Sequence, residues 1–409
     1  MKIVVFNLGC KVNQYECDVL CEKLAFLGHS VSEELCCADL YILNTCAVTS
    51  EAERKSRQAI ARCKNYNPKA KIIVMGCASE KAPESFQKDG VTYVCGVADK
   101  LAVVDHLDDD FFIQNISGLP HTYEEMSLTS TQRSRAFIKI QDGCNHFCSY
   151  CIIPYLRGRS RSRSIDSIVR EAKILQNRVG EIVLTGIDVM AYGLDIGTTF
   201  TELVRALQDI DARIRLSSIY AEQITTQMLN ALFSLKHFCP HFHLSLQSAD
   251  NSVLKAMNRH YSAEIYAQKI DLIRSYDNYA GITTDVIIGF PTETNEAYEN
   301  TRAFVINEQF SDLHIFPYSQ RSGTVAASLP SLSPNVVKER KLDLMHVKED
   351  LRKRFAQKNI GRMLSVLLEE KNDGYNVGYS ENYVRIYTKK EGNVVQCVPK
   401  ELFKDGLKE

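Results

Sequence analysis

CNHFCSYC, residues 144–151, puts three cysteines within eight positions at the spacing C-x3-C-x2-C. The 409-residue chain carries 14 cysteines in all. It opens on MKIVVFNLGC, a strand-like run and not a basic segment leading into a long apolar one, so no signal peptide is expected. No apolar run approaches membrane-spanning length either. A soluble, cytoplasmic protein is expected, and in a reducing compartment so many thiols argue for metal or redox chemistry over disulfides. A structural zinc site takes four protein ligands, and a ferredoxin-type cluster takes four cysteines. Three thiolates leave one position open, although spacing alone keeps zinc or a plain cluster as alternatives. His146, between the cysteines, reads as a bystander in the loop.

The segments around the triad decide the fold. Candidate strands at 136–143, 181–186, 213–218, 242–248, 282–290 and 312–319 alternate with helical stretches such as 165–177 and 294–307. Six such units are too few for an eightfold barrel of roughly 250 residues. The expected fold is an α/β chain containing a partial, open (β/α)6 barrel, with every βα loop at one mouth. That mouth would gather CNHFCSYC, Thr185-Gly186, Ser217-Ser218, Gln247-Ser248 and Gly289-Phe290-Pro291.

Upstream, three β-rich runs each close on a cysteine: KIVVFNLGC on Cys10, DLYILNTC on Cys46 and KIIVMGC on Cys77. Helical patterns lie between them. Val19, Leu20, Lys23, Leu24 and Leu27 share one face, and Thr49 can cap a helix through Ala61. This alternation predicts an open, mostly parallel α/β sheet, whose ligands collect at the carboxyl ends of the strands. Any one of these cysteines would ordinarily be a core residue. Three at equivalent strand ends predict a second converging set. Cys17, Cys21, Cys36, Cys37, Cys63, Cys95, Cys239 and Cys397 read as small apolar residues.

Net charge is −1, so nothing global signals a polyanion. Residues 133–163, however, carry seven Arg or Lys against Asp142 alone. The run Arg157, Arg159, Arg161, Arg163 is expected to position RNA phosphates, with a solvated basic loop as the alternative.

The C-x3-C-x2-C loop on a (β/α)6 barrel resembles the radical S-adenosylmethionine (SAM) enzymes. Other motifs resemble their methylthiotransferase branch over essentially the whole chain: NLGCKVNQYE (7–16), NTC (44–46), MGC (75–77), KIQDGCNHFCSYCIIPYLRGRSRSR (139–163), LTGIDVMAYG (184–193), HLSLQSADNSVLKAMNR (243–259) and TDVIIGFPTET (284–294). The resemblance implies two 4Fe–4S clusters, each with one open iron. Cys144, Cys148 and Cys151 would hold the one that cleaves SAM; Cys10, Cys46 and Cys77 would hold the auxiliary one, whose sulfur is methylated and transferred. It further implies Tyr150 beside the SAM adenine, and Thr185, Gly186, Gln247, Ser248 and Gly289 around the cofactor. Two departures stand out: Tyr220-Ala221 where the family usually has Glu-Pro, and Ala249-Asp250 where Gly-Ser is usual.

The resemblance also implies a domain order: a methylthiotransferase domain over 1–125, the barrel over 130–345, and a small RNA-binding TRAM-like β-barrel over 350–409. The last looks short, with its final strand expected to be absent or irregular. Residues 335–409 hold 16 Lys or Arg against 12 Asp or Glu, a mild excess suited to phosphate. The family divides by substrate. Gly9-Cys10-Lys11-Val12-Asn13-Gln14-Tyr15-Glu16 resembles the type (MtaB) acting on threonylcarbamoylated tRNA adenosine, not the types acting on isopentenylated adenosine or a ribosomal-protein aspartate. Lys11 and Asn13 would then meet the modified base. The expected partners are tRNA and an electron donor such as a flavodoxin or ferredoxin, with no membrane and a monomeric state. A non-catalytic iron–sulfur or zinc RNA-binding protein is the rival class.

Overall fold

Short β-branched runs alternate with helices at the start of the chain, and the computed structural model, which describes residues 1–409, gathers them into one parallel sheet. Its strands are β1 (Lys2–Asn7), β2 (Ser30–Ser32), β3 (Leu40–Thr45), β4 (Lys71–Gly76), β5 (Val91–Cys95) and β6 (Ile113–Asn115), in the order β2-β1-β3-β4-β5-β6. All six residues of β3, LYILNT, are buried, as a strand covered on both faces requires. Helices Lys11–Phe26 and Ser50–Tyr66 supply cover. Thr49 caps the second, its Oγ1 accepting the Ala52 N–H at 3.1 Å.

The strand ends place the first cysteines. Cys10 is the N-cap of helix Lys11–Phe26, Cys46 follows β3 directly, and Cys77 begins a helix directly after β4. Gly76 makes the last turn possible. Its φ is 110°, and a Cβ there would lie 2.6 Å from both the Thr45 carbonyl and Asn44 Oδ1.

All six expected barrel strands form: β7 (Arg135–Lys139), then, after a small ribbon of β8 (Gln141–Asp142) and β9 (Arg161–Ser162), β10 (Glu181–Thr185), β11 (Arg213–Leu216) with its continuation β12 (Ser218–Ile219), β13 (His241–Gln247), β14 (Gly281–Ile288) and β15 (Asp312–Pro317). Pairing is parallel throughout, β7-β10-β11 on one side and β12-β13-β14-β15 on the other, with the ladder interrupted at Ser217. The helices of this unit and the outward faces of its strands share one buried apolar core.

Helix Pro334–Lys358 crosses the expected boundary between barrel and C-terminal unit. Its Leu344, Val347 and Leu351 belong to the barrel core, while Ala356 belongs to the core of the last unit. That unit is a six-stranded sheet of β16 (Leu364–Asn372), β17 (Tyr375–Ser380), β18 (Arg385–Thr388), β19 (Val394–Cys397), β20 (Glu401–Phe403) and β21 (Gly406–Lys408), ordered β19-β16-β17-β18-β21-β20. The final strand, expected to be absent or irregular, is present but short. The β20–β21 hairpin lays β21 parallel to β18, and each strand has only three residues, too few to show a period in sequence.

Candidate functional site

Cys10, Cys46 and Cys77 converge around Asn13 and Arg157. Cys10 Sγ donates to Asn13 Oδ1 at 3.3 Å, and the Asn13 amide donates to Asn44 Oδ1 (2.7 Å) and the Thr45 carbonyl (3.1 Å). Arg157 donates from Nη2 to Asn13 Oδ1 at 2.9 Å and from Nε to Cys77 Sγ at 3.3 Å. Burial pushes the Cys46 thiol up to about 12, and its neighbours Cys77 and Cys10 add to the effect.

Behind this triad lies a buried ionic network. Glu16 meets Lys100, Lys139 (3.4 Å) and Arg157 (3.1 Å); Asp142 meets Arg157 (3.0 Å), Arg161 (3.2 Å) and Lys139 (3.4 Å). Burial opposes ionisation of both carboxyls, but the cations around them, Arg157 foremost, hold them well below the usual range. Four buried cations face two buried carboxylates, and half-buried Glu124 beside them offsets one more charge. A positive surplus therefore remains next to Cys77. An iron–sulfur cluster on three thiolates is an anion, and this surplus fits it.

The second triad sits at the barrel mouth. Cys144 and Cys148 are buried and Cys151 is half-buried. Burial pushes Cys144 and Cys151 up to about 12, with Cys148 adding to both. Cys144, His146 and Asp188 offer ligand atoms within 4.8 Å of one another. Arg259 Nη1 lies 3.5 Å from Cys148 Sγ, with its guanidinium over the Tyr220 ring at 4.4 Å.

His146 is anchored in its loop: its Nε2 lies 3.0 Å from Asp188 Oδ2 and its ring stacks on Tyr220 at 4.2 Å. The other Asp188 oxygen, Oδ1, is buried without a partner, an acceptor beside Cys144 that an amino group such as that of SAM would satisfy. Sequence reading stopped at Gly186 and missed Asp188, two residues further on. Arg259, at the end of the 243–259 motif, and Tyr220, in one of the two departures, reach the triad from other βα loops, so neither was placed at the site by its own segment.

A cavity of about 840 Å³ joins the units. Cys10 and Lys11 enter it from the first, Thr185, Gly186 and Ser217 from the barrel, and Glu369 and Tyr383 from the last. The Lys11 side chain is exposed to this space yet enclosed by protein. Desolvation first, then Arg135 and Arg215, lower its pKa against the opposing pull of Asp285 and Glu181, neither of which forms an ion pair with it.

The expected outward placement of three arginines, Asn13 and Ser248 is corrected. Arg157, Arg161 and Arg163 are buried, so they do not reach an RNA backbone; Arg163 pairs with Glu171 and lies 3.2 Å from the Tyr15 hydroxyl. Of the run only Arg159 is exposed, its guanidinium over the Phe147 ring at 4.5 Å. The β8–β9 ribbon folds the segment back onto carboxylates far away in sequence. Asn13 is buried in the wall that holds Cys10 and does not face the cavity. Ser248 is buried with its hydroxyl engaged by Thr301 Oγ1 at 3.2 Å and the Asp250 N–H, so it shapes its turn. Gly289 serves conformation: φ is 73°, and a Cβ would lie 2.5 Å from Val337 Cγ2. Gln247 closes β13 with a positive φ of 69°. Tyr150 packs against the Phe290, Met257 and Ala326 cluster.

The C-terminal sheet offers cations over aromatic rings. Lys389 Nζ lies 4.2 Å from the Tyr375 ring centre, and Lys404 and Lys408 lie 5.6 and 5.4 Å from that of Phe403. Such a face suits a nucleic-acid strand. Changing all three lysines to Ala is expected to weaken tRNA binding and to flatten the slope of log affinity against log salt by up to about 3, measured by filter binding at graded salt. An unchanged slope would remove this face from the interface.

No helix is long and apolar enough to cross a membrane. Residues 138–305 match the radical SAM superfamily, and residues 2–96 match uncharacterized protein family UPF0004. The chain is 35% identical to the threonylcarbamoyladenosine tRNA methylthiotransferase MtaB of Bacillus subtilis, over 99% of this chain and 95% of that one. It is 31% identical to the tRNA-2-methylthio-N(6)-dimethylallyladenosine synthase of Pelotomaculum thermopropionicum, over 93% and 89%. Among solved structures, the radical SAM methyltransferase TsrM of Kitasatospora setae superposes with a TM-score of 0.56 at 15% identity, covering 80% of this chain and 77% of that one; this is a likeness of fold.

Proposed function

The chain belongs to the radical SAM methylthiotransferase family, transferases that use SAM and 4Fe–4S clusters, and on that premise we propose that it adds a methylthio group to C2 of N6-threonylcarbamoyladenosine in tRNA, beside the anticodon. In this reading Cys144, Cys148 and Cys151 hold the cluster that binds SAM, and Cys10, Cys46 and Cys77 hold the auxiliary one. The observation that carries the choice of nucleoside is Lys11, an ammonium without a carboxylate partner inside the cavity, directly after Cys10. A threonylcarbamoyl group brings a carboxylate to it; an isopentenyl tail would leave it buried and unpaired. Relatives in Bacillus subtilis and Thermotoga maritima that bear the threonylcarbamoyladenosine name, 35% and 36% identical to the chain, support the same choice.

When bound, SAM and the clusters supply the one-electron cleavage and the transferable sulfur that no side-chain acid or base provides for an unactivated C–H bond. The chain's own residues bind and orient. Arg157 and Arg259 set positive charge against Cys77 and Cys148, and Asp188 offers a free carboxylate oxygen at the SAM site. The cavity that Cys10 and Lys11 enter holds the base and limits water. A flavodoxin- or ferredoxin-type donor supplies the electron. A monomer is sufficient, since one chain provides both triads and the cavity.

Mass spectrometry of tRNA nucleosides from a deletion strain tests the substrate. The methylthio-threonylcarbamoyl nucleoside is expected to vanish and its unthiolated precursor to accumulate. Loss of methylthio-isopentenyladenosine, or of the ribosomal-protein modification, would instead assign the chain to a sister type.

A further inference from the structure

Barrel interiors are ordinarily filled by layers of branched apolar side chains. Here a layer of the lumen is polar and hollow. Strands β13, β14 and β15 present His243, Asp285 and His314 to the same cavity that Lys11 enters. Register explains the grouping: Asp285 is level with His314, and His243 is level with Thr283 on the same strand face as Asp285. Asp285 is clasped between the imidazoles, Oδ2 lying 3.1 Å from His243 Nε2 and Oδ1 lying 3.4 Å from His314 Nδ1. His243 Nδ1 is held in turn by Thr283 Oγ1 at 2.8 Å, and the two rings stack at 4.9 Å. Asp285 thereby fixes the His314 ring and leaves its Nε2 without a protein partner.

Three polar atoms on the cavity wall lack any partner: Ser217 Oγ, His241 Nδ1 and Arg135 Nε. Ser217 and His241 are more than nine-tenths buried, at 4% and 6% exposure. Buried polar atoms left unpaired in this way point to a polar occupant. Of the cations lining the cavity, Arg133, Arg135 and Arg215 form ion pairs with carboxylates and Lys11 does not, with Asp285 and Glu181 acting on it only at longer range.

We infer that the His243–Asp285–His314 layer, with Lys11, is a subsite for a carboxylate- and hydroxyl-bearing acyl substituent on the target base. This rests on the reading above and names the residues that select the substituent. Lys11 takes the carboxylate, and His314 Nε2, with the orphaned Ser217 and His241 atoms, serves the hydroxyl and the urea group. An apolar tail would strand all of them without partners. A divalent cation is the rival occupant, since the three side chains offer ligand atoms within 4.8 Å of one another. The two imidazoles, however, address different oxygens of Asp285, and an unpaired ammonium shares the space.

The test uses the iron- and sulfide-reconstituted protein and synthetic anticodon stem-loops bearing threonylcarbamoyladenosine, isopentenyladenosine or plain adenosine, with affinities read by fluorescence anisotropy. The unaltered chain is expected to prefer the threonylcarbamoyl loop to the plain one by at least about tenfold, and Lys11→Met and His314→Leu each to lose most of that preference while keeping the affinity for the plain loop. His314→Gln, which retains a hydrogen-bonding tip, should recover part of it. Iron content and circular dichroism report whether each variant is folded. If the unaltered chain prefers the threonylcarbamoyl loop and all three variants keep the full preference, the subsite is wrong while the function stands. If the unaltered chain prefers the isopentenyl loop, the function itself falls. A zinc or manganese ion bound stoichiometrically and lost in His314→Leu would overturn the subsite in favour of a metal centre.

Discussion

Replacing Cys144, Cys148 and Cys151 together with Ala is expected to lower iron from about eight to about four atoms per chain after anaerobic reconstitution, and to abolish SAM cleavage. The same change at Cys10, Cys46 and Cys77 should also remove about half of the iron, yet leave 5′-deoxyadenosine production measurable after dithionite is added. The asymmetry follows from geometry. Cys144, Cys148 and Cys151 lie at the barrel mouth beside the unpaired Asp188 oxygen, whereas Cys10, Cys46 and Cys77 lie at the strand ends of the N-terminal sheet. Iron and 5′-deoxyadenosine assays on the two triple variants decide the matter. Full iron retention in the second variant would mean that Cys10, Cys46 and Cys77 hold no cluster.

Arg157→Ala is expected to be the most damaging single change outside the cysteines. Its guanidinium is fully buried and contacts Glu16, Asp142, Asn13 and Cys77 at once. Removing it leaves two buried carboxylates with fewer cations and withdraws charge from the auxiliary site. Breaking a buried ion pair from one side costs roughly 3–5 kcal/mol, and loss of the auxiliary iron should accompany it. Arg159→Ala, two residues on and exposed, should stay within about 0.5 kcal/mol. Chemical denaturation of the reconstituted proteins, followed together with iron content, separates the two. Equal behaviour of the two variants would rule out the structural role assigned to Arg157.

This pair of arginines also shows where sequence reading ran out. In Arg157-Gly158-Arg159-Ser160-Arg161-Ser162-Arg163 the charges recur every second residue, and by composition alone they form a basic stripe. Whether an arginine faces water or a carboxylate depends on partners that local pattern does not reveal. Glu16 lies 141 positions from Arg157. Asn13 was misplaced for the same reason: its amide is consumed by Asn44 and Thr45, across the sheet.

What the amino-acid sequence determined alone was whatever depends on near neighbours. The strand runs, the capping threonine at position 49, the cysteine spacing and the closing cysteines of β1, β3 and β4 follow from short-range periodicity and steric preference. Two converging triads followed from these by the rule that parallel α/β strands deliver their carboxyl ends to one edge. Only the tertiary structure decided which charges are buried, which polar atoms lack partners, and that His243, Asp285 and His314 meet inside the barrel. Those three residues come from three strands, and each is unremarkable in its own segment. Their meeting depends on parallel register, which side-chain pattern along a single strand does not encode.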